Sequence, residues 1–254
     1  MKLILKKAHV FFYVFSVGLF YSIFWPFFYY FSRKPGRYQT LVQLRRLWGG
    51  LSSALAGIFY QFEYEEPVDW SRTYIICSNH NSNLDITAMC LLVKNNCCFM
   101  GKEELLDGLV TGLFFRSVDI PVKRESKISA FRAFKKAGER LREGFNMIIF
   151  PEGGISNNYP PRLDDFKNGP FRLAIEERVP IIPISSIDAW KMFWDDGHKY
   201  GTRPGIAHLY VHKPIETRDL TVDDTDTLRE QVYELIKTKT GFKPGGSQKN
   251  DGLV

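Results

Sequence analysis

TYIICSNHNSNLD, residues 73–85, is the stretch on which the fold class turns. Thr73–Ser78 is a short, uncharged, β-branched run, the pattern of a buried strand. Ser82 or Asn83 can then cap a helix that runs to about Val93, with Asp85 in its first turn. A buried strand that passes through a polar turn into a helix is one unit of an α/β sheet. The alternation continues downstream. Strands are expected over residues 98–101, 118–122, 145–150, 179–185 and 207–212, and helices over 125–144, 170–178 and 225–240. Gly108 and Gly112 break residues 102–113 into helical fragments, and Pro121 disturbs the strand around it. In the helix over 125–144, Ile128, Phe131, Phe134 and Leu141 fall on one face, and Gly144 ends it. Pro180 and Pro183 point to an edge position, or a short run, for the strand that holds them. There is no internal repeat. The expected fold is α/β, a central mixed sheet packed by helices.

Asn79-His80-Asn81-Ser82-Asn83-Leu84-Asp85 leaves the end of the first buried strand, so His80 is expected at the C-terminal edge of the sheet, where α/β proteins gather ligands. Asp85, five residues on, can turn its carboxylate back to the imidazole. An aspartate that accepts one ring N–H fixes the tautomer and leaves the second nitrogen free to take a proton. No Gly-x-Ser-x-Gly elbow supplies a protein nucleophile. The nucleophile is then expected to be a substrate hydroxyl that His80 deprotonates as it attacks an acyl carbonyl. Spacing alone leaves open the simpler alternative that His80 closes a loop and Asp85 caps a helix. Two further strand ends add to the picture. Val122-Lys123-Arg124 offers adjacent cations for a phosphate. Phe150-Pro151-Glu152-Gly153-Gly154 is a tight loop whose glycines admit close backbone approach, with Glu152 able to bond a substrate hydroxyl. Converging at one edge, these segments describe a pocket for a phosphorylated alcohol.

The N-terminal quarter has a different character. The 254-residue chain carries a net charge of +6, yet residues 1–62 contain no Asp or Glu and hold eight Lys or Arg, among them Arg45 and Arg46. Charge alone does not separate a nucleic acid from an anionic membrane surface as the partner. Hydropathy does: Ala8–Ser32 has no Asp, Glu, Lys or Arg, long enough for the ~20 apolar residues a bilayer crossing needs. The bulky run FWPFFYYF lacks the small-residue site of a cleaved signal. Basic residues flank both ends and Pro26 interrupts, so a helix embedded in the membrane without necessarily spanning it is preferred over a simple crossing. A second helix is expected from about Tyr38 to Phe59, with Leu41, Leu44, Leu47 and Leu51 at helical spacing and Arg45 and Arg46 to one side. The expected organisation is a membrane-associated helical anchor over 1–62, an α/β domain over 63–240, and a disordered, Gly-rich tail over 241–254. Nucleic acid is not an expected partner. Cys77, Cys90, Cys97 and Cys98 form neither a zinc spacing nor a disulfide framework, and read as buried thiols of a domain facing the cytoplasm.

Four segments together resemble the glycerophospholipid acyltransferases of the 1-acylglycerol-3-phosphate acyltransferase type. The family's N-H-x-x-x-x-D motif is matched by Asn79, His80 and Asp85. Its second motif ends in a substrate-binding arginine, matched by Arg124 within DIPVKR. Its F-P-E-G-T-R-S motif corresponds to Phe150-Pro151-Glu152-Gly153-Gly154-Ile155-Ser156, and its V-P-I-x-P motif to Val179-Pro180-Ile181-Ile182-Pro183. The resemblance, bacterial members included, implies a membrane-bound enzyme at the cytoplasmic side of the inner membrane. It further implies an acyl-CoA or acyl carrier protein thioester as donor, lysophosphatidate as acceptor, and no metal or bound cofactor. His80 would be the base, Asp85 its orienter and Arg124 a phosphate ligand. Glu152 and Gly153 would shape the acceptor site, with Lys102 near the reacting carbonyl or phosphate. Ile155 stands where the family has arginine. Lys123, Arg116 and Arg162 are the candidates to replace that contact; otherwise the acceptor is another lysolipid or an acyl-amino-acid lipid. A lipid hydrolase, with water in place of the alcohol, is the other chemistry this base can serve.

Overall fold

The computed structural model describes residues 2–123, 126–194 and 197–245. The chain opens with helix α1 (Leu3–Ser32), which packs against α2 (Tyr38–Leu55). The contact stripe on α1 is Tyr13, Ser16, Tyr21 and Phe28, all buried. Polar groups tie the two helices together: the Trp48 indole donates to the Val17 carbonyl (3.1 Å), and the Ser16 hydroxyl to the Ser52 carbonyl (2.7 Å). Elsewhere α1 exposes the large apolar side chains Ile4, Phe11, Phe15 and Phe27 together with Tyr29 and Tyr30. By length and composition, α1 is a helix able to cross a membrane.

The second helix stops earlier than its sequence pattern predicts. It ends at Leu55, and Gly57 (φ +69°) turns the chain into strand β1 (Ile58–Tyr64) rather than letting the helix continue to Phe59. Ile58, Tyr60 and Phe62 alternate inward while Phe59, Gln61 and Glu63 face out. A two-residue period hidden behind an apolar helix is easily taken for one more turn of that helix. The expected division after residue 62 therefore cuts through a strand of the sheet. Neither arginine of α2 is available to a membrane surface in the manner expected. Arg45 is buried in an ion pair with Asp119, and Arg46 donates to the carbonyls of Cys90 and Val93.

The sheet has seven strands in the order β1-β7-β6-β2-β5-β3-β4. The other six are β2 (Ile75–Ser78), β3 (Cys97–Lys102), β4 (Ile120–Val122), β5 (Asn146–Ile149), β6 (Ile181–Ser186) and β7 (Gly205–Val211). β6, β2, β5, β3 and β4 run parallel; β7 is antiparallel to β6, and β1 follows β7 in parallel, so the sheet is mixed as expected. Helices α3 (Leu84–Leu92), α4 (Thr111–Phe115), α5 (Lys127–Arg142), α6 (Gly169–Glu177) and α7 (Thr225–Thr240) complete the domain. The C-terminal ends of five parallel strands thereby converge on one edge.

Three expectations change. β6 is an interior strand despite Pro183, not an edge strand. The Pro183 carbonyl accepts from the His212 amide (3.0 Å), and the missing proline N–H costs the ladder one bond where β7 is leaving it. On α5 the buried face is Ala133, Ala137 and Leu141, while Ile128 (67% exposed) and Phe131 (71%) point outward. The alanine row lets the helix lie close on the sheet and rotates the larger side chains away. At the C-terminus, Gly241–Gly245 is tied down: Leu163 donates to the Lys243 carbonyl (3.1 Å), and Gly245 donates to that of Leu163. The rest of the expected tail, 246–254, lies outside the described residues.

Candidate functional site

His80 follows β2, Lys102 ends β3, Glu152 follows β5 and Ser186 ends β6, so four strand ends deliver the polar groups of one site. The His80 Nδ1 lies 3.0 Å from Asp85 Oδ2. That same oxygen accepts the amide N–H groups of Asn81 (2.8 Å) and Ser82 (2.9 Å), while Oδ1 accepts the Ser186 hydroxyl (2.7 Å). Asp85 is fully buried and acts as acceptor in all four bonds, which puts the imidazole proton on Nδ1. No described residue bonds Nε2, and His80 faces a pocket. Phe150 stacks on the imidazole at 4.0 Å between centroids and 16° between planes, holding the ring from its flank.

The turn that carries His80 is fastened from two sides. The Asn79 side chain pairs with the backbone of Ser186, donating to its carbonyl (2.9 Å) and accepting its amide (2.8 Å). Asn81 donates to the same carbonyl (2.7 Å), and the Ser82 hydroxyl donates to the Phe193 carbonyl. On the other side, Glu152 Oε1 accepts the His80 amide (2.7 Å) and Oε2 accepts the Asp164 amide (2.8 Å). Glu152 thus braces the turn through both oxygens, a scaffolding contact beside the role expected of it toward a substrate hydroxyl. Gly153 at φ +86° makes the turn that brings Glu152 back under His80. Ser186 is the site residue that sequence reading missed. It is 101 positions from Asp85 in the chain, and no local pattern marks it.

Burial pushes the Glu152 carboxyl up to about 8, against the lowering effect of the two amide donors. The raised value means that the folded chain holds a proton there which the unfolded chain has already lost above its ordinary carboxylate range. The proton's stabilising contribution is therefore full below that range and fades as pH rises toward 8. Replacing Glu152 with Gln removes this dependence at the cost of one amide acceptor. The stability deficit of Glu152→Gln relative to wild type is expected to be largest near pH 5 and to shrink as pH approaches 8, as thermal unfolding in detergent across that range would reveal. A deficit that grew with pH would contradict the protonated carboxyl.

The pocket beside His80 has a volume of about 430 Å³ and is mostly apolar. Lys102, Gly153, Gly154 and Ile155 line it near His80; Val17, Trp48, Phe99, Phe114 and Phe115 supply apolar wall. Lys102 Nζ comes within 3.7 Å of where a Cβ on Gly154 would stand, so that glycine keeps room beside the ammonium. Lys123 does not line the pocket; it is exposed, 3.9 Å from Glu103. Arg116 and Arg162 also lie off the lining, and Arg124 lies outside the described residues. Burial raises all four cysteine thiols, as expected of packing groups. Among the described residues, no group of three or more His, Cys, Asp or Glu could hold a metal ion.

A model of the acyltransferase family matches residues 60–187, from within β1 to the turn after β6, and so contains His80, Asp85, Lys102, Glu152 and Ser186. The chain belongs to the acyltransferase family. The 1-acyl-sn-glycerol-3-phosphate acyltransferase alpha of Mus musculus is 30% identical over 170 residues, covering 66% of this chain and 59% of the mouse protein. The beta form of Homo sapiens is 30% identical over 188 residues, 70% of this chain and 64% of the human protein. This acyltransferase thus spans about three fifths of the length of the relatives it matches. The crystal structure of the 1-acyl-sn-glycerophosphate acyltransferase PlsC from Thermotoga maritima superposes with a TM-score of 0.77 at 21% identity, over 95% of this chain and 97% of that one. The N-terminal helices and the sheet therefore belong to one shared fold.

Proposed function

We propose that this acyltransferase moves an acyl group from a coenzyme A or acyl carrier protein thioester to the free hydroxyl of lysophosphatidate, giving phosphatidate. The observation that carries the reading is His80, held through Nδ1 by Asp85 at 3.0 Å, with Nε2 bonded by no described residue, in the lining of an apolar pocket. As the hydroxyl oxygen attacks the thioester carbonyl, Nε2 takes its proton. The C–S bond then breaks, and the imidazolium returns the proton to the departing thiolate. Asp85 fixes the tautomer and stabilises the transient imidazolium. Lys102 offers a cation beside the Gly153-Gly154 turn, and Arg124 is proposed for the acceptor phosphate; Lys123, off the pocket lining, is not retained for that contact. Apolar α1 would keep the pocket at the membrane, on the cytoplasmic side of an inner membrane, where both acyl chains reside. The names of the mouse and human relatives support the same acceptor.

A second reading keeps the chemistry and changes the acceptor. Ile155 lines the pocket where the family motif carries arginine, which favours a headgroup less dependent on a buried phosphate contact, as in another lysolipid or an acyl-amino-acid lipid. The test is the full chain in detergent micelles with acyl-CoA or acyl carrier protein thioester against a panel of these acceptors. Phosphatidate formed faster than any other product is the expected result. A different acylated lipid would select the second reading, and thiol release with free fatty acid and no acylated lipid would overturn both.

A further inference from the structure

A second cleft, about 440 Å³, is lined by Lys6, Tyr159, Trp190, Lys191, Arg203 and Pro204. It is chemically unlike the apolar pocket beside His80. Three cations share it, and among the described residues none of them has an ion-pair partner. The nearby carboxylate of Asp188 is occupied by the His208 ring (2.9 Å) and amide (2.8 Å). One wall is aromatic. Tyr159 stacks on Tyr200 at 3.9 Å and meets Trp190 edge-on at 5.4 Å, and Lys191 sits 5.7 Å from the Trp190 ring. The frame is fixed by bonds that, among the described residues, leave the two lysine ammonium groups and the terminal guanidinium nitrogens of Arg203 unused. Thr202 donates to the Lys6 carbonyl (3.0 Å), Arg203 Nε to the Lys191 carbonyl (2.9 Å), and the Trp190 indole to the Ile187 carbonyl (3.3 Å).

Two chain segments join this cleft to the His80 site. Tyr159 is four residues beyond Ile155, which lines the first pocket. Ser186, bonded to Asp85, leads through Ile187 into Trp190 and Lys191, and the next turn returns the Phe193 carbonyl to Ser82. Cations with no ion-pair partner among the described residues, beside partly exposed aromatic rings, suit a ligand that combines phosphates with a planar base: guanidinium and ammonium groups bind phosphate oxygens, and ring faces accept a base. An acyl carrier protein would bring carboxylates but no base for the aromatic wall.

We propose that this cleft binds the phosphorylated adenosine end of a coenzyme A thioester, with the acyl end directed to the pocket beside His80; the inference rests on the acyl-transfer reading above. The probe is adenosine 3′,5′-bisphosphate, which cannot react, titrated calorimetrically into the full chain in detergent micelles. Wild type and His80→Ala are expected to bind it alike. Lys6→Glu/Lys191→Glu should bind it at least about tenfold more weakly, since two attractive charge-assisted contacts to phosphate become repulsive. Lys191→Glu alone should fall between, and serves if the double variant fails to fold. In turnover assays the same substitutions should raise KM for acyl-CoA and leave KM for the lysolipid unchanged. Failure of wild type to bind the bisphosphate, or equal binding by both variants, overturns the proposal. So does a loss confined to phosphatidylglycerol vesicles or to acyl carrier protein with bisphosphate binding intact. Variant-sensitive binding without acyl transfer from any thioester would leave the cleft assignment standing and reject the reaction; transfer without bisphosphate binding would do the reverse.

Discussion

His80→Ala is expected to lower kcat by about a hundred- to ten-thousand-fold, the usual range for loss of a general base, with both KM values little changed. The ring contributes little to packing: it touches Asp85 through Nδ1 and Phe150 through one face, at the open side of the site. The backbone of the turn is held independently, by Asn79 on Ser186 and by Glu152 on the His80 amide. Removing the imidazole should therefore leave the fold and the thermal midpoint close to wild type while removing the proton acceptor. Asp85 makes a poorer target for the same question. Its carboxylate also holds the amides of Asn81 and Ser82 and the Ser186 hydroxyl, so its loss mixes chemistry with loop structure. Steady-state rates with saturating thioester and acceptor, beside circular dichroism of the same preparation, decide the matter. A variant that is folded and as active as wild type would remove His80 from the mechanism.

The legible part of this site is the part carried by short sequence distances. His80 and Asp85 lie five residues apart on a strand–turn–helix unit, and the turn brings them within hydrogen-bond range by local geometry alone. The PEGG turn is local as well, and Gly153 does adopt the left-handed conformation that a glycine there suggests. Ser186 and its pairing with Asn79 are invisible in the sequence because sheet order, not spacing, makes them neighbours: β6 lies next to β2 although more than a hundred residues separate them. β1 escapes for a different reason. Its alternation of Ile58, Tyr60 and Phe62 follows directly on an apolar helix, and only pairing with β7 distinguishes the two periods. Ile128 and Phe131 show the limit of amphipathic reading. The small residues Ala133 and Ala137 decide which side of α5 approaches the sheet, although they weigh little on a hydropathy scale.

Arg45 is the clearest case of charge read in the wrong solvent, and it leads to the second large effect. In the sequence it belongs to a basic arm; in the fold it reaches Asp119 at 2.7 and 2.9 Å and donates to the Cys97 carbonyl at 3.1 Å, with the rings of Phe99 and Phe114 about its guanidinium. Asp119 also accepts the Phe99 amide at 2.9 Å, so the pair links α2 to the strand beside the pocket. Removing one member of a buried pair strands the other charge, a loss of about 3–5 kcal/mol, whereas removing both is often close to neutral. Arg45→Met and Asp119→Asn are each expected to destabilise by about that amount. The double variant should recover most of the loss. It leaves no charge to be buried, and the amide oxygen introduced by Asp119→Asn can still accept from Phe99. Denaturant unfolding of wild type, the two single variants and the double variant in one detergent gives the coupling energy, expected to exceed about 2 kcal/mol. Both residues line the apolar pocket, which sharpens the meaning of the alternative result. A coupling near zero would mean that water entering the pocket already screens the two charges, and that its inner wall is wet rather than suited to an acyl chain.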